Sequence, residues 1–176
     1  AFPTPAEYRI ENLQAKAAFV RREIPFAKLP EPLPAEKTTP QGSIRDLTSQ
    51  MAKDGRLVWD VPPGKWTVLR FGHTPTGKDN HPAPADGRGL ECDKLSRQGA
   101  DAMFAGLMGK LIADSKPLAG KTLVATHIDS WEVGSQNWTS AFREEFRRLR
   151  GYDPLPFLPV MTGRVVDTLE VSERFL

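Results

Sequence analysis

Between Thr126 and Trp138 the chain reads THIDSWEVGSQNW. Two carboxylates, Asp129 and Glu132, stand close together with Trp131 and Trp138 on either side. A flat indole covers the apolar C–H face of a pyranose ring. A carboxyl in a partly apolar setting has its pKa raised and can act as a general acid near neutral pH. Glycoside hydrolysis needs a pair of such groups, one of which protonates the leaving oxygen. Glu132 suits that role, and Asp129 suits orienting or binding a substrate. The competing reading is structural: a loop glutamate can also cap the next helix or hold an arginine, and both readings stand on the pattern alone.

A second cluster is GRGLECDKLS, Gly87 to Ser96. Glu91, Asp93 and Lys94 lie where a loop enters a helix, and acidic residues suit a helix N-terminus without any other role. They become candidate substrate-binding groups if that loop reaches the same site, together with His127, Asn137 and Trp138. His73, Asn80 and His81 are loop residues that could line a pocket or be bystanders. Cys92 is the single cysteine, which excludes an internal disulfide and a cysteine-built zinc site. It reads as a small buried residue rather than a nucleophile.

The elements that must position these groups follow from periodicity. Lys121 to Ile128 is nearly all apolar or β-branched, as expected of a parallel strand buried on both faces. Side chains alternate along a strand, so His127 and Asp129 share one face. Before it, Phe104, Leu107, Met108, Leu111 and Ile112 fall at helical spacing, which predicts a helix from about Leu95 to Ser115. After it, Thr139 or Ser140 can cap a second helix. Phe142 and Phe146 lie on one face, Arg147, Arg148 and Arg150 sit in the last turn, and Gly151 lies just past the end. Tyr152 to Pro159 reads as a proline-rich turn region, and Asp167 to Leu176 begins another helix.

Upstream, Arg56 to Gly72 alternates polar and apolar residues around Pro62-Pro63-Gly64. That predicts an antiparallel hairpin, which needs a larger sheet to be stable. Thr74 to Gly89 reads as a long loop. Residues 1–45 are rich in proline and read as an extended strap or linker, with a short helix possible over Leu13 to Phe19. The organisation expected is a strap over 1–45, a β-rich element over 46–80, and an α/β part over 81–176. That last part has the grammar of a βα-repeat fold such as a partial (β/α)8 barrel or a doubly wound sheet, joined to an antiparallel β-hairpin or β-sandwich element in the N-terminal half. A complete barrel takes roughly 250 residues.

The chain has 176 residues, 39% of them hydrophobic, and a net charge of +2. Apart from Arg147-Arg148-Leu149-Arg150 its basic residues are scattered, so a nucleic-acid partner has no support. No 18-residue apolar run is present, so no membrane anchor is expected. Both termini read as cuts within a longer protein, which leaves targeting undecided.

Three segments in order, WDVPPGKWTVLRFGHTPTG, GRGLECDKLS and THIDSWEVGSQNWTSAFREEFRRLRGYDPLPFLPVMTG, resemble glycoside hydrolase family 106. The resemblance is strongest from Gly55 onward. It implies a bacterial α-L-rhamnosidase-like enzyme, with a (β/α)8 barrel and β-sandwich elements. It implies hydrolysis of terminal α-L-rhamnosides with inversion, and a calcium ion that assists substrate binding through ligands not identified in this sequence. The family's Asp-Ser-x-Glu stretch matches Asp129-Ser130-Trp131-Glu132, which makes Glu132 the preferred catalytic acid. The second catalytic glutamate is expected beyond Leu176, so this chain alone is expected to be inactive. The implied substrate is a rhamnose-containing glycan, with no protein partner implied, and the implied location of the parent is periplasmic or extracellular. The competing class is a non-catalytic carbohydrate-binding or structural β-sandwich module.

Overall fold

A computed structural model describes residues 1–17, 32–128 and 136–176. The chain divides into two compact units, one of residues 1–71 with 146–176 and one of residues 72–145. Among the described residues no helix is long and apolar enough to cross a membrane.

The first unit holds the core. Strand β1 (Phe2–Pro3) pairs antiparallel with β2 (Trp66–Thr67), in the register Phe2 to Thr67 and Pro3 to Trp66. Thr4 extends the pairing, its N–H donating to the Lys65 carbonyl at 2.9 Å and its hydroxyl meeting that of Thr67 at 2.9 Å. Helix α1 (Leu13–Lys16) follows, and Lys16 makes an ion pair with Glu173. Ile10, Phe157, Val160, Val165, Val166 and Leu169 form the buried cluster, flanked by Tyr8, Leu33, Ile44, Phe175 and Leu176.

Much of that cluster comes from the proline-rich stretch near the C-terminal end. Leu155–Thr162 winds as a 3₁₀ helix and stops at Gly163, whose φ of 80° is left-handed. The Gly163 carbonyl then accepts the Ile10 N–H at 2.8 Å. A parallel bridge joins Thr39 to Val166, with Thr39 N–H donating to the Val165 carbonyl at 2.9 Å and Asp167 N–H donating to the Thr39 carbonyl at 3.0 Å. Burial, and then the neighbouring Arg9, holds the Arg164 guanidinium below its usual pKa.

The second unit contains α2 (Arg97–Gly106) and α3 (Met108–Ser115). The expected helix over this stretch is thus two helices, broken at Leu107 (φ −127°, ψ −68°). Gly106 and Gly109 flank the break, and each glycine costs a helix interior about 1 kcal/mol relative to alanine. Helix α4 (Phe142–Arg150) ends at Gly151, which has a φ of 78° and donates its N–H to the Arg147 carbonyl at 2.9 Å. This is the stop expected from the sequence. Helix α5 (Leu169–Phe175) is capped by the Thr168 hydroxyl, which accepts from the Val171 N–H at 3.1 Å. Between α4 and α5 an aromatic run connects Phe146 to Tyr152, Tyr152 to Phe157 and Phe157 to Phe175, with ring centroids 5.1, 5.1 and 5.6 Å apart.

Two expected β elements are corrected. The 56–72 hairpin does not form. The chain does turn at Gly64 (φ 119°), and Trp59 meets Trp66 edge to face at 5.1 Å. The hydrogen bonds go elsewhere, however. β2 pairs with β1, and Leu57 pairs backward with Met51 around the turn at Gly55. Val58, Val61, Val68 and Phe71 stay exposed. Pro62 and Pro63 have no N–H to give a ladder beside the turn.

The strand expected over 121–128 is likewise absent. It has one isolated bridge, Ala119 to Leu123, and Val124 and Ile128 are 72% and 77% exposed. A strand buried on both faces needs neighbours for its N–H and C=O groups, and β1 and β2 form the one sheet among the described residues. A (β/α)8 barrel is therefore not seen among the described residues. The region shows helices with a two-stranded antiparallel sheet. The loop expected over 74–89 is irregular, with a short 3₁₀ turn at Ala85–Gly87. Part of the possible Leu13 to Phe19 helix and the start of the Leu29 to Pro34 proline run lie outside the described residues.

Candidate active-site loops

Asp93 joins the two clusters singled out in the sequence. Its Oδ1 accepts the Leu95 N–H at 3.0 Å and the side-chain amide N–H of Gln136, and its Oδ2 accepts the Thr139 hydroxyl at 2.7 Å. Gln136 turns its other amide atom to the same loop, where Oε1 accepts the Lys94 N–H at 3.2 Å. One amide thus clasps a side chain and a backbone of the 91–96 loop together. Lys94 Nζ pairs with Glu91, and both side chains are about four-fifths buried. Opposite charges placed this way hold each other where solvent screening is weak.

Local geometry explains why the loop enters α2 here. The Ser96 hydroxyl accepts the Gly99 N–H at 3.3 Å and caps the helix. The Asp93 carbonyl accepts the Ser96 N–H at 3.1 Å and lies so near Gly99 that a Cβ there would meet it at 2.5 Å. Gly99 is what allows the first turn of α2 to pack onto the loop that carries Asp93. On the other side, Trp138 is half-buried and rests on Phe142 at 4.9 Å, and the Thr139 carbonyl accepts the Phe142 N–H at 3.1 Å to start α4.

Of the residues expected at a site, Glu91, Asp93, Lys94 and Trp138 belong to this network or adjoin it. Asn137 sits within it in sequence, between Gln136 and Trp138, with its side chain exposed. His127 is exposed on the irregular segment. Asp129, Trp131 and Glu132 lie outside the described residues, four to seven positions before Gln136. Two participants were not singled out as site residues by sequence reasoning: Gln136 and Gly99. Gln136 stands in GSQNW between the tryptophan-flanked carboxylates and the helix cap, but a lone glutamine carries no chemical signature. Gly99 shows its role only once the approach of Asp93 is known.

Calcium takes six to eight oxygen ligands, usually with several carboxylates among them. Among the described residues no three His, Cys, Asp or Glu side chains gather into such a group. Both Asp93 oxygens are already accepting, and Glu91 is held by Lys94. These residues do not fit a calcium site.

The network thus ties the loop before α2 to the residues before α4 through one carboxylate. The sequence profile of glycoside hydrolase family 106, described as alpha-L-rhamnosidase, matches residues 3–176. The chain belongs to that family. It is 41% identical over 180 residues to a protein of Formosa agariphila that carries the provisional name of beta-glucuronidase, covering 100% of this chain and 15% of that protein. It superposes with a TM-score of 0.69 and 30% identity on the structure of rhamnosidase from Novosphingobium sp. PP1Y, covering 97% of this chain and 17% of that one. The chain therefore spans less than one fifth of the length of either relative.

Proposed function

We propose that this chain is part of an inverting glycosidase that releases terminal α-L-rhamnosyl residues, with Glu132 as the general acid. Supporting this reading most directly is the tie between the two clusters. Asp93 accepts from both Gln136 and Thr139, so the chain a few residues after Glu132 in sequence is fastened to the Glu91–Lys94 loop. The family match over residues 3–176 supplies the substrate class. Asp129, Trp131, His127, Asn137 and Trp138 are assigned to holding the sugar, with the indoles on its C–H faces. The strands of a (β/α)8 barrel, and the catalytic base, come from the longer protein. In an inverting mechanism that base lies roughly 6.5–9.5 Å from the acid, with the attacking water between them.

A uronoside substrate is the second reading, favoured by the name of the Formosa agariphila relative. Both readings give Glu132 the same role. In the parent enzyme, Glu132→Gln is expected to lower kcat on an aryl α-L-rhamnoside about 10²–10⁴-fold, the usual contribution of general acid catalysis. Near-normal turnover would remove Glu132 from the mechanism. Faster turnover of the aryl glucuronide than of the aryl rhamnoside by the wild type would favour the second reading.

A further inference from the structure

The second unit carries an open cleft of about 440 Å³ lined by Asp79, Asn80, His81, Pro82, Ala83 and Arg88. That volume lies within the range of small-molecule sites, roughly 300–1,000 Å³. Asn80 builds its wall. Its side-chain N–H donates to the Gly87 carbonyl at 3.0 Å, its Oδ1 accepts the Gly89 N–H at 2.8 Å, and its own N–H donates to the Gly89 carbonyl at 2.9 Å. The Glu91 N–H closes the base on the Lys78 carbonyl at 2.8 Å. The loop is thus ordered before any ligand arrives, which reduces the entropy lost on binding.

Asn80 is spent on this scaffold, and the charged lining is not. Among the described residues, neither Asp79 nor Arg88 uses its side chain in a hydrogen bond or an ion pair, although they line the same cleft with opposite charges. A carboxylate that only accepts and a guanidinium that only donates, lining one cleft, match a ligand whose groups do both. Sugar hydroxyls do. Pro82 and Ala83 offer the apolar surface that a sugar's C–H face needs.

We propose that this cleft is a glycosyl-binding subsite, in which Asp79 and Arg88 hold the hydroxyls of a sugar unit beyond the one that is cleaved. It rests on the glycosidase reading above. It is separate from the Asp93 network, whose polar atoms are already paired with one another.

The test compares Arg88→Ala and Asp79→Asn with the wild type in the enzyme that contains this chain, on an α-L-rhamnosyl oligosaccharide and on an aryl α-L-rhamnoside. Neither side chain holds the loop, so both variants are expected to fold. The expected result is a KM about tenfold higher for the oligosaccharide, the scale of one lost hydrogen bond to a charged group, with kcat and the aryl kinetics unchanged. An equal change on both substrates, or none on either, overturns the subsite. If the wild type turns over neither substrate, the glycosidase reading falls on its own. The subsite is then decided by saturation-transfer NMR with methyl glycosides. Transfer seen in the wild type and lost in Arg88→Ala supports it, and identical spectra or no transfer overturn it.

Discussion

At the scale of single residues, two buried hydroxyls in the first unit have opposite worth. Ser172 is 0% exposed, and its hydroxyl accepts the Val166 N–H at 2.8 Å and donates to the Val166 carbonyl at 3.0 Å. It satisfies both backbone groups of a residue that no regular ladder pairs. Thr39, 1% exposed, has its N–H and carbonyl bonded, but its hydroxyl has no partner. A buried polar group without a partner costs about 1–3 kcal/mol, and removing a partner from one costs as much. Ser172→Ala is therefore expected to destabilise by about 1–3 kcal/mol. Thr39→Val, similar in shape, is expected to stabilise by about 1 kcal/mol. Urea unfolding of the chain checks both, and shifts of the same sign would sink the assignment. Neither role is legible in the sequence, because it depends on which backbone groups lie within reach across the fold.

At the scale of elements, the docking of α2 turns on Gly99. With 2.5 Å between a Cβ there and the Asp93 carbonyl, Gly99→Ala must move backbone rather than a flexible side chain. Overpacking of this kind costs about 1–3 kcal/mol. The variant is expected to lower Tm, whereas Gly106→Ala, where nothing lies within 4 Å of the added Cβ, is expected to raise it through helix propensity. A Tm raised by both variants would mean that Gly99 makes no room for the Asp93 carbonyl. The helices were legible for local reasons. Gly151 ends α4 and Ser115 ends α3, each signal lying within a turn of the boundary it marks. Strands were not, since a strand's partner is set by distant residues. β2 took β1 as its neighbour, across more than sixty residues of sequence, rather than the segment just before it.

For the whole molecule, a glycosidase needs two carboxyls facing one bond. Glu144 and Glu145 lie in the first turn of α4 and Glu170 in the first turn of α5, where acidic residues favour the helix dipole. The purified 176-residue chain is accordingly expected to show no turnover of an aryl α-L-rhamnoside, whereas the longer protein is expected to turn it over. Measurable release of the aryl group by the chain alone would mean that it holds its own base. The apolar side chains left exposed in the second unit, among them Phe104, Leu107, Val124 and Ile128, fit a chain spanning 15% and 17% of its relatives.

The sequence by itself determined the end of α4, the turn at Gly64 and the family, because glycines and ordered motifs act locally or are read directly from residue identity. It also marked Glu91, Asp93 and Lys94 as a group worth following. Only the tertiary structure decided that Asp93 accepts from Gln136 and Thr139, more than forty residues away, and that Gly99 makes room for it. The same holds for the strands and for the unpaired Asp79 and Arg88. Hydrogen-bond partners and close approaches depend on where the chain returns in space, and periodicity along the chain carries no record of that.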